Sequence, residues 1–421
     1  MLNAPMPSLL PVYKRAPVTF ERGEGAYLYD SDGRRYLDFG SGVAVTQLGH
    51  AHPHLVGVLK AQAERLWHCS NLYGIEPQQQ LADRLVEQSF ADTVFFCNSG
   101  AEAPECAIKM ARRFQHQRGQ AERHKIITFD GAFHGRTMAT ISAGAQAKYL
   151  EGFEPALPGF EAIQAGDLDA LTSAIDDQTA AILIEPVQGE GGIREIDDAF
   201  LLDLRRIADE KDLLLIFDEV QSGMGRTGKL FAYEWSGAKP DIMTLAKGLG
   251  GGFPIGACLA TSRVASGMAA GTHGSTFGGN PLACAVGNGV LDIMLEDGFF
   301  ERVNEATELL RTELDRLAAA YPAYILEVRG KGLMLGLRFA DDHVNAELVS
   351  SLIEQGLLTI PAGDNVVRLL PPLIIGRTEI EEAVATLEEH LEALVKMSSL
   401  RGKLRHDRSQ NAAAFFGHRW A

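Results

Sequence analysis

Between about residue 50 and residue 290, short apolar runs alternate with stretches that have the spacing of amphipathic helices. The apolar runs predict strands at TVFFC, KIITF, AAILIEPV, LLLIFDEV, DIMTLA and ACLAT, and FLLDLRRIADEKD is typical of a helix between two of them. Repeated alternation of strand and helix predicts a mostly parallel sheet with helices on both faces. The pattern therefore indicates an α/β chain whose large domain covers residues 46–295.

The two ends of the chain have a different pattern. YLYDSDGRRYLDF alternates apolar and polar residues around a turn, so residues 1–45 are predicted to be an arm and a hairpin that joins a smaller domain. Further on, the sequence predicts a helix at 299–320, a strand pair in ILEVRGKGLMLGLRF, a helix at 344–355, strands in LLTIP and VVRLLPPL, and a helix near 377–397. These elements predict a small α+β domain over residues 296–396. The basic, aperiodic tail 397–421 is predicted to be disordered.

Composition restricts the kinds of partner. The 421-residue chain is 46% hydrophobic and 22% charged, as is common for a globular enzyme. Its net charge of −16 argues against nucleic acid and anionic membrane, because both are negative themselves. Five scattered cysteines without a CxxC pair predict buried thiols in a reducing compartment. Since the sequence has neither a signal peptide nor an apolar run of membrane-spanning length, we expect a cytoplasmic protein.

The most informative chemistry lies at the end of LLLIFDEV and just after DIMTLA. The first of these apolar strands presents Asp218 and Glu219 at its carboxyl end, where open α/β sheets place their ligands. Lys247 follows the second strand and is flanked by glycines. A buried carboxylate and an accessible lysine are what pyridoxal phosphate requires, because the lysine binds its aldehyde and the carboxylate keeps its ring nitrogen protonated. The alternative is an ordinary strand-end acid and a surface lysine.

Three further loops carry candidate residues. In NSGAEA, Ser99, Gly100 and Ala101 open a helix and can surround a phosphate, although Ser99 as a simple helix cap explains the same residues. In FHGRT, Phe133 suits the face of a planar ring and Arg136 suits an anionic substrate group. The loop EPVQGEGG follows another buried strand and combines two acids with glycines, which favours a functional role.

Two other motifs suggest nucleotide binding and zinc binding, but neither motif is complete. GMGRTGK at 223–229 matches the start of a phosphate-binding P-loop, but Leu230 stands where the magnesium-binding hydroxyl belongs, so nucleotide hydrolysis is disfavoured. His50, His52 and His54 alternate in GHAHPHL without the spacing of a zinc-binding helix. The sequence therefore predicts no metal site.

Taken together, these segments resemble the class III pyridoxal-phosphate-dependent aminotransferases. The likeness includes SGVAVTQLGHAHP, NSGAEA, FHGRT, EPVQGEGG, FDEVQSGMGRTG, LAKGLGGGFPIGA, GSTFGGNPLA and RGKGLMLGL, in that order over nearly the whole chain. Within the family, HCSNLY and THGSTFGGNP are most similar to members that act on N2-acetylornithine. Position 104, asparagine in many members, is Pro104 here, and the basic tail has no counterpart in the family.

The resemblance implies fold type I, with a seven-stranded-type sheet, and a homodimer whose active sites are shared between subunits. It assigns cofactor attachment and proton transfer to Lys247, and the partner of the ring nitrogen to Asp218. Gln221 is implied to lie near the ring's phenolic oxygen, and Phe133 to stack on the ring. For the phosphate it implies Ser99, Gly100 and Ala101, joined by Thr276 of the partner subunit.

The same resemblance implies transfer of the distal amino group of N2-acetylornithine to 2-oxoglutarate, which yields glutamate. Arg136 would take the carboxylate far from the reacting amine, and Arg368 the α-carboxylate of glutamate, with Glu190 neutralising Arg368 in the other half-reaction. N-succinyl-diaminopimelate, succinylornithine, ornithine and 4-aminobutyrate stay open as amino donors. An aminomutase on the same fold and a P-loop nucleotide-binding protein are more remote alternatives.

Overall fold

The computed structural model describes the backbone of residues 8–416 and the side chains of residues 8–396. The N-terminal part contains β1 (Phe20–Glu24), β2 (Tyr27–Asp30), β3 (Arg35–Asp38), the short turn α1 (Ser41–Ala44), α2 (Pro53–Ala63) and α3 (Glu76–Glu87). The central part contains β4 (Thr93–Cys97), α4 (Glu102–Gln117), β5 (Lys125–Phe129), α5 (Met138–Gly144), α6 (Ala147–Leu150), β6 (Phe160–Ile163), α7 (Leu168–Ala174), β7 (Thr179–Ile184), β8 (Val187–Gln188), β9 (Arg194–Glu195), α8 (Asp198–Glu210), β10 (Leu214–Asp218), α9 (Tyr233–Ser236), β11 (Ile242–Leu245), a 3₁₀ turn (Lys247–Leu249), β12 (Gly256–Ala260), α10 (Ser262–Ala265) and α11 (Pro281–Met294). The C-terminal part contains α12 (Phe299–Ala320), β13 (Ile325–Lys331), β14 (Met334–Phe339), α13 (Asn345–Gln355), β15 (Leu357–Leu358), β16 (Ile360–Ala362), β17 (Val366–Leu369) and α14 (Arg377–Phe416).

A seven-stranded sheet forms the centre of the fold, in the order β4-β12-β11-β10-β7-β5-β6. Only β12 is antiparallel to its neighbours within this sheet, so the prediction of a mostly parallel sheet is confirmed. All six predicted strands are present. The sequence analysis missed β6, because this four-residue edge strand contains Glu161 and is only partly buried, which removes the apolar run that marks a central strand.

Alternation along β10 explains why its sequence is apolar throughout. Leu214 and Ile216 pack into the core on one side of the sheet, whereas Leu215 and Phe217 pack into the core on the other side. Successive side chains of a strand point to opposite faces, so a strand covered on both faces needs apolar residues at every position. The central strand is thereby held rigidly up to Asp218, its last residue.

The smaller C-terminal sheet has the order β13-β14-β17-β16, with α12, α13 and α14 beside it. The N-terminal hairpin belongs to a separate sheet in which β3 pairs with β15 from the C-terminal part, so the two ends of the chain lie together. The boundaries predicted at residues 45, 295 and 396 stay predictions.

The last helix is longer than the sequence pattern predicted. It continues to Phe416, through most of the segment 397–421 for which disorder was predicted, and residues 417–421 lie outside the described residues. The physical reason is that the segment is rich in alanine and arginine, both strong helix formers, and contains no proline, so it favours a helix even without an apolar stripe. Among residues 8–416, none of the helices combines the length and the hydropathy needed to cross a membrane.

We expect the sheet core to dominate stability. Leu215→Ala removes a fully buried side chain from β10, and should lower the free energy of unfolding by about 2–5 kcal/mol because a cavity is left behind. The matched control is Leu202→Ala on α8, whose side chain is half exposed, with an expected change below about 0.5 kcal/mol. Denaturant unfolding of both variants tests this, and equal losses would contradict the assignment of the core.

Candidate active site

The parallel strands open at their carboxyl ends into a cavity of about 410 Å³. Strands β5, β7, β10 and β11 run in one direction, and β4 shares it because two antiparallel pairings separate β4 from β11. The loops that follow these strands therefore meet at one edge of the sheet. Of the residues that the sequence assigned to a site, those that line this cavity are Ser99, Gly100, Ala101, Phe133, Arg136, Asp218, Gln221 and Lys247.

Asp218 is the most firmly held of the lining side chains. Its Oδ2 lies 2.7 Å from Nδ1 of His134, and its Oδ1 accepts hydrogen bonds from the Thr244 hydroxyl at 2.9 Å and from the Val220 backbone N–H at 3.0 Å. The carboxylate is almost completely buried. Three donors in a dry environment fix both its position and its orientation toward the cavity.

His134 and Glu185 extend this buried network. Burial by itself lowers the pKa of His134, but the hydrogen bond and the charge of Asp218, together with the charge of Glu185, raise that pKa above its ordinary value. Burial raises the pKa of Glu185 to about 7, and the negative charge of Asp218 adds to the effect. Glu185 accepts from the Phe133 backbone N–H at 2.9 Å, so it also fixes the loop that carries the aromatic ring. The raised pKa of Glu185 therefore reduces the negative charge that this residue adds beside Asp218.

Lys247 lies directly after β11 and points an unpaired amine toward the cavity. Its Nζ has no hydrogen-bond or ion-pair partner among residues 8–396, and its backbone is in the left-handed region, with φ of 45°. Burial lowers the pKa of Lys247 to about 8, and the positive charge of Arg368 adds to that effect, while Glu190 opposes it. At pH 7 about a tenth of the amine is therefore unprotonated and nucleophilic, far more than for a lysine with the ordinary pKa of 10.5.

The opening of α4 forms one end of the cavity. The backbone N–H groups of Ser99, Gly100 and Ala101 have no acceptor in the described part of the chain, and they precede the positive end of the helix. A Cβ atom at Gly100 would lie 2.6 Å from a methyl group of Val220, so only glycine lets the chain pass here. Pro104 lies in the first turn of α4, where its missing N–H costs no helical hydrogen bond.

Phe133 and Arg136 also line the cavity, and Tyr149 packs against Arg136 from outside the lining. The Arg136 guanidinium lies 3.9 Å from the centre of the Tyr149 ring and 5.5 Å from that of Phe133. Arg136 is exposed, and no carboxylate within residues 8–396 pairs with it. Its charge is thus held in place by aromatic faces and is available to an anionic ligand.

Arg368, on β17, reaches the site from the smaller sheet. It donates to Glu190 Oε1 at 2.8 Å, to the Pro361 carbonyl at 3.1 Å and to Gln221 Oε1 at 3.3 Å. Arg368 is 2% exposed, whereas the Glu190 side chain is 24% exposed. Arg368 is thus held in place, whereas the more exposed side chain of Glu190 can move away from the ion pair.

Three of the predicted residues do not line the cavity. Arg368 and Glu190 are connected to its lining through the hydrogen bond from Arg368 to Gln221, whereas Thr276 is exposed on the loop between α10 and α11. Its contribution to the site of a partner subunit stays a prediction.

Sequence reasoning did not assign roles to several residues that complete the site. His134, Glu185 and Thr244 hold Asp218 or its surroundings, Tyr149 supports Arg136, and Val45 also lines the cavity. His134 is 84 residues from Asp218, so no local spacing reveals their contact. The sequence contained one indication that His134 and Glu185 belong to the site, since they lie in FHGRT and EPVQGEGG, and both motifs contain predicted site residues.

The cavity lining can be tested against pyridoxal phosphate, the cofactor that the resemblance implies. Its phosphate requires N–H donors, its ring nitrogen a carboxylate, and its aldehyde a free amine. Free backbone N–H groups, the buried carboxylate of Asp218 and the unpaired amine of Lys247 line one cavity, so these residues fit the group. No cluster of three or more histidine, cysteine, aspartate or glutamate side chains within the described residues is arranged to hold a metal ion.

The P-loop-like segment has another role. Nζ of Lys229 donates to the Glu234 carbonyl at 3.0 Å and lies 4.4 Å from the centre of the Trp235 ring. The lysine that would bind a nucleotide phosphate is therefore engaged in local packing, and Leu230 is buried.

Comparisons with known proteins agree with this geometry. The sequence profile of the family Aminotransferase class-III matches residues 11–391. The chain is 58% identical to the acetylornithine aminotransferase of Agrobacterium fabrum over 380 residues, which cover 90% of this chain and 95% of the relative.

Solved structures that are similar to this chain are aminotransferases as well. The N-acetylornithine aminotransferase of Stenotrophomonas maltophilia has a TM-score of 0.80 at 39% identity and covers 91% of this chain and 98% of its own. The ornithine aminotransferase of Toxoplasma gondii has a TM-score of 0.89 at 33% identity and covers 93% of this chain and 94% of its own.

The lowered pKa of Lys247 predicts an unusual pH dependence of its reactivity. In cofactor-free protein, labelling of Lys247 by an amine reagent should have its midpoint near pH 8, because protons leave this amine more readily than the ordinary lysine value of 10.5 allows. Arg368→Gln should move the midpoint upward, since a cation that disfavours the protonated amine is removed and Glu190 loses its partner. Peptide mapping of the label across a pH series measures both effects, with Lys247→Ala as the blank. A midpoint near 10.5 in the wild type would contradict the prediction.

Proposed function

The chain belongs to the class-III aminotransferases, and from this premise we propose that it transfers the distal amino group of N2-acetylornithine to 2-oxoglutarate. The products are N-acetylglutamate 5-semialdehyde and glutamate, a step of arginine biosynthesis. Members of the family depend on pyridoxal phosphate, and this chain is a pyridoxal-phosphate-dependent enzyme. The observation that supports the proposal most is that Lys247, Asp218 and Arg136 line one cavity, and that Arg368 donates a hydrogen bond to Gln221 in the lining of the same cavity.

When bound, pyridoxal phosphate supplies an electron-withdrawing ring that makes the C–H bond beside the substrate nitrogen acidic. Lys247 is the residue that we assign to cofactor attachment and to proton transfer at that carbon. With its pKa near 8, Nζ can accept a proton and return it at the pH of the cell. Ser99, Gly100 and Ala101 would hold the phosphate through their free N–H groups.

Asp218 is the residue that we assign to the ring nitrogen. The hydrogen bonds from His134 and Thr244 hold its carboxylate, and the raised pKa of His134 favours a positive partner that keeps Asp218 ionised. A fixed negative charge stabilises a proton on the ring nitrogen. Phe133 would cover one face of the ring, and Gln221 would reach its phenolic oxygen.

The two arginines explain how one cavity accepts two unlike substrates. In acetylornithine the reacting amine is several bonds from the carboxylate, whereas in glutamate it is next to one. Arg136, exposed at the aromatic side, would take the distant carboxylate of either substrate. Arg368 would take the near carboxylate of glutamate, and Glu190 would neutralise it when acetylornithine is bound, because an unpaired buried cation is costly.

We propose that the enzyme is a homodimer with shared active sites. Trp67, Leu72, Tyr73 and Phe277 are each more than 60% exposed. Their two segments lie together, because the Asn71 side chain donates to the Ser275 carbonyl and the ring of His68 lies 5.2 Å from that of Phe277, so we treat the four side chains as one apolar surface patch. Thr276 is adjacent to Phe277 on this patch, so a partner subunit that covers the patch would receive Thr276 at its own phosphate. Large exposed aromatic side chains in one patch are typical of a protein interface.

We further propose that the enzyme acts in the cytoplasm on small-molecule substrates. All five cysteines are free, and four of them are buried, which suits a reducing compartment. The net charge of −16 disfavours nucleic acid as a partner.

Steady-state kinetics on five amino donors test the proposed substrate. We expect kcat/KM for N2-acetylornithine to exceed that for ornithine and 4-aminobutyrate by at least about tenfold, because relatives named for acetylornithine share up to 58% identity with this chain. The values for N-succinyl-diaminopimelate and succinylornithine should lie in between. A higher value for ornithine would instead favour the activity named for the Toxoplasma relative. Turnover of an amino donor without 2-oxoglutarate would favour an aminomutase.

The role that we assign to Asp218 predicts that replacing its carboxylate by an amide of the same shape lowers kcat strongly. Asp218→Asn should lower kcat about 10²- to 10³-fold while the cofactor is still bound, because the neutral amide no longer stabilises the ring-nitrogen proton. Glu219→Gln is the matched control. This neighbouring carboxyl is also buried, but its pKa of about 8 leaves it mostly neutral already, and it does not line the cavity. Near-normal turnover in Asp218→Asn would refute the assigned role.

The two-arginine arrangement predicts separable effects on the two half-reactions. Arg368→Ala should slow the glutamate half-reaction far more than the acetylornithine one, whereas Arg136→Ala should slow both. Each lost carboxylate pair should cost about 2–5 kcal/mol of transition-state stabilisation, a factor of about 30 or more in rate. Glu190→Ala should shift preference toward glutamate and other α-amines. Single-turnover measurements of each half-reaction decide the matter, and equal losses in Arg368→Ala would rule out the switch.

A further inference from the structure

A tight turn from Ser275 to Gly278 carries Thr276 on the surface of the fold. Thr276 and Phe277 are exposed at the tip of the turn, whereas Gly278 is buried at its base. A Cβ atom at Gly278 would collide with the carbonyl oxygen of Phe96 on β4, so only glycine lets the chain pass this close to the strand. The base of the turn is therefore packed against the central sheet.

The side chain of Asn71 holds both ends of this turn. Its Nδ2 donates to the carbonyl oxygen of Ser275 at 3.1 Å and to that of Gly278 at 3.0 Å. Nε2 of Gln78 donates to Asn71 Oδ1 at 2.9 Å, so both polar atoms of the Asn71 amide have partners and its orientation is fixed. A side chain from the loop between α2 and α3 thus closes a turn whose first residue lies 204 positions further along the chain.

A second contact joins the turn to the phosphate-binding loop of its own subunit. Nδ2 of Asn98 donates to Oγ of Ser275 at 3.0 Å, and the same oxygen accepts from the Gly278 backbone N–H at 3.0 Å. Asn98 lines the active-site cavity and directly precedes Ser99. The turn is thereby also fixed to the end of β4.

These contacts fix backbone that belongs to neither a helix nor a strand. An exposed loop of this kind samples many conformations, and ordering it when a ligand binds costs free energy. The hydrogen bonds to Ser275 and Gly278 order the turn in advance, which removes this cost from the binding step. Thr276, between these two residues, is therefore presented in one position.

We propose that Asn71 is a positioning residue that acts in the active site of the partner subunit. The inference rests on the proposed homodimer, in which Thr276 of one subunit reaches the cofactor phosphate of the other. By fixing the turn, Asn71 holds the Thr276 hydroxyl where it can donate to a phosphate oxygen. Cofactor affinity in one subunit then depends on a side chain that belongs to the other, and Ser275 supports the same turn through its hydroxyl.

Titration of the full-length dimer, after its cofactor has been dialysed out, tests the link to the phosphate. In Asn71→Ala the Kd for pyridoxal phosphate should rise about tenfold, because a displaced hydroxyl loses a hydrogen bond to a charged group. The Kd for pyridoxal, which lacks the phosphate, should not change. Ser275→Ala should have the same two effects.

The matched control is Gln79→Ala, which should leave both Kd values unchanged. Gln79 is an exposed amide like Asn71, but its Nε2 donates to Asp83 on its own helix at 2.7 Å. An unchanged Kd for pyridoxal phosphate in Asn71→Ala would overturn the proposal. An equal rise for pyridoxal and for pyridoxal phosphate would overturn it as well, since the loss would then not involve the phosphate.

Hybrid dimers show in which subunit Asn71 acts. They are purified through two different affinity tags, and Lys247→Ala in one subunit leaves a single site where the cofactor attaches and can be trapped with borohydride. When Asn71→Ala and Lys247→Ala are in the same subunit, the remaining site should bind the cofactor about tenfold more weakly, because its partner supplies the altered turn. When the two changes are in different subunits, the remaining site should bind normally. Loss in the second hybrid alone, equal loss in both hybrids or loss in neither would overturn action across the interface.

Failure of the proposed homodimer would give a different result. Gel filtration should show a dimer, and Thr276→Val should weaken binding of pyridoxal phosphate but not of pyridoxal. A monomer with full cofactor affinity, or normal affinity in Thr276→Val, would overturn the shared active site and this inference with it. A loss in Thr276→Val without a loss in Asn71→Ala would overturn only the positioning role.

Discussion

The site depends on one buried negative charge, the Asp218 carboxylate at the end of the central strand. An isolated carboxylate is unstable in a dry interior, so its presence there requires donors that replace water. His134, Thr244 and the Val220 N–H supply them. Because β10 is packed on both faces, these donors and the carboxylate are held in a fixed relation, and the other site groups are arranged around that charge.

The remaining charges show how the fold balances ionised groups away from water. Glu185 and Glu219 are also buried near Asp218, but burial raises their pKa values to about 7 and about 8, so each of them carries less than a full negative charge near neutral pH. Arg368 is neutralised by Glu190, and its positive charge helps to lower the pKa of Lys247. One cation thus serves two purposes, as a candidate anion receptor and as an activator of the amine.

Backbone conformations of high energy also occur around the active-site cavity. Lys247 has a positive φ, and so do Ser41, Val43 and Ala44 in the turn before Val45, which lines the cavity. A β-branched residue such as Val43 rarely adopts this conformation. Such strain persists where the surrounding packing determines the backbone, and it is found most often at functional sites. The rigid sheet is therefore what permits an unfavourable local geometry at the loops that it carries.

The sequence by itself determined the alternation of strands and helices and six of the seven strands of the central sheet, because buried strands read as apolar runs. Together with the family resemblance, it also identified eight of the residues that line the cavity, since the chemistry follows these strands at their ends. It also placed Arg368 and Glu190 in motifs, but their 2.8 Å contact joins two sheets that no local pattern connects. The edge strand β6 and the length of α14 escaped the pattern, since neither is set by a continuous apolar surface. Only the tertiary structure decided that His134 holds Asp218 and that Arg368 donates to Gln221. Contacts between residues distant in sequence depend on how the layers pack, and packing is a property of the whole chain rather than of any segment of it.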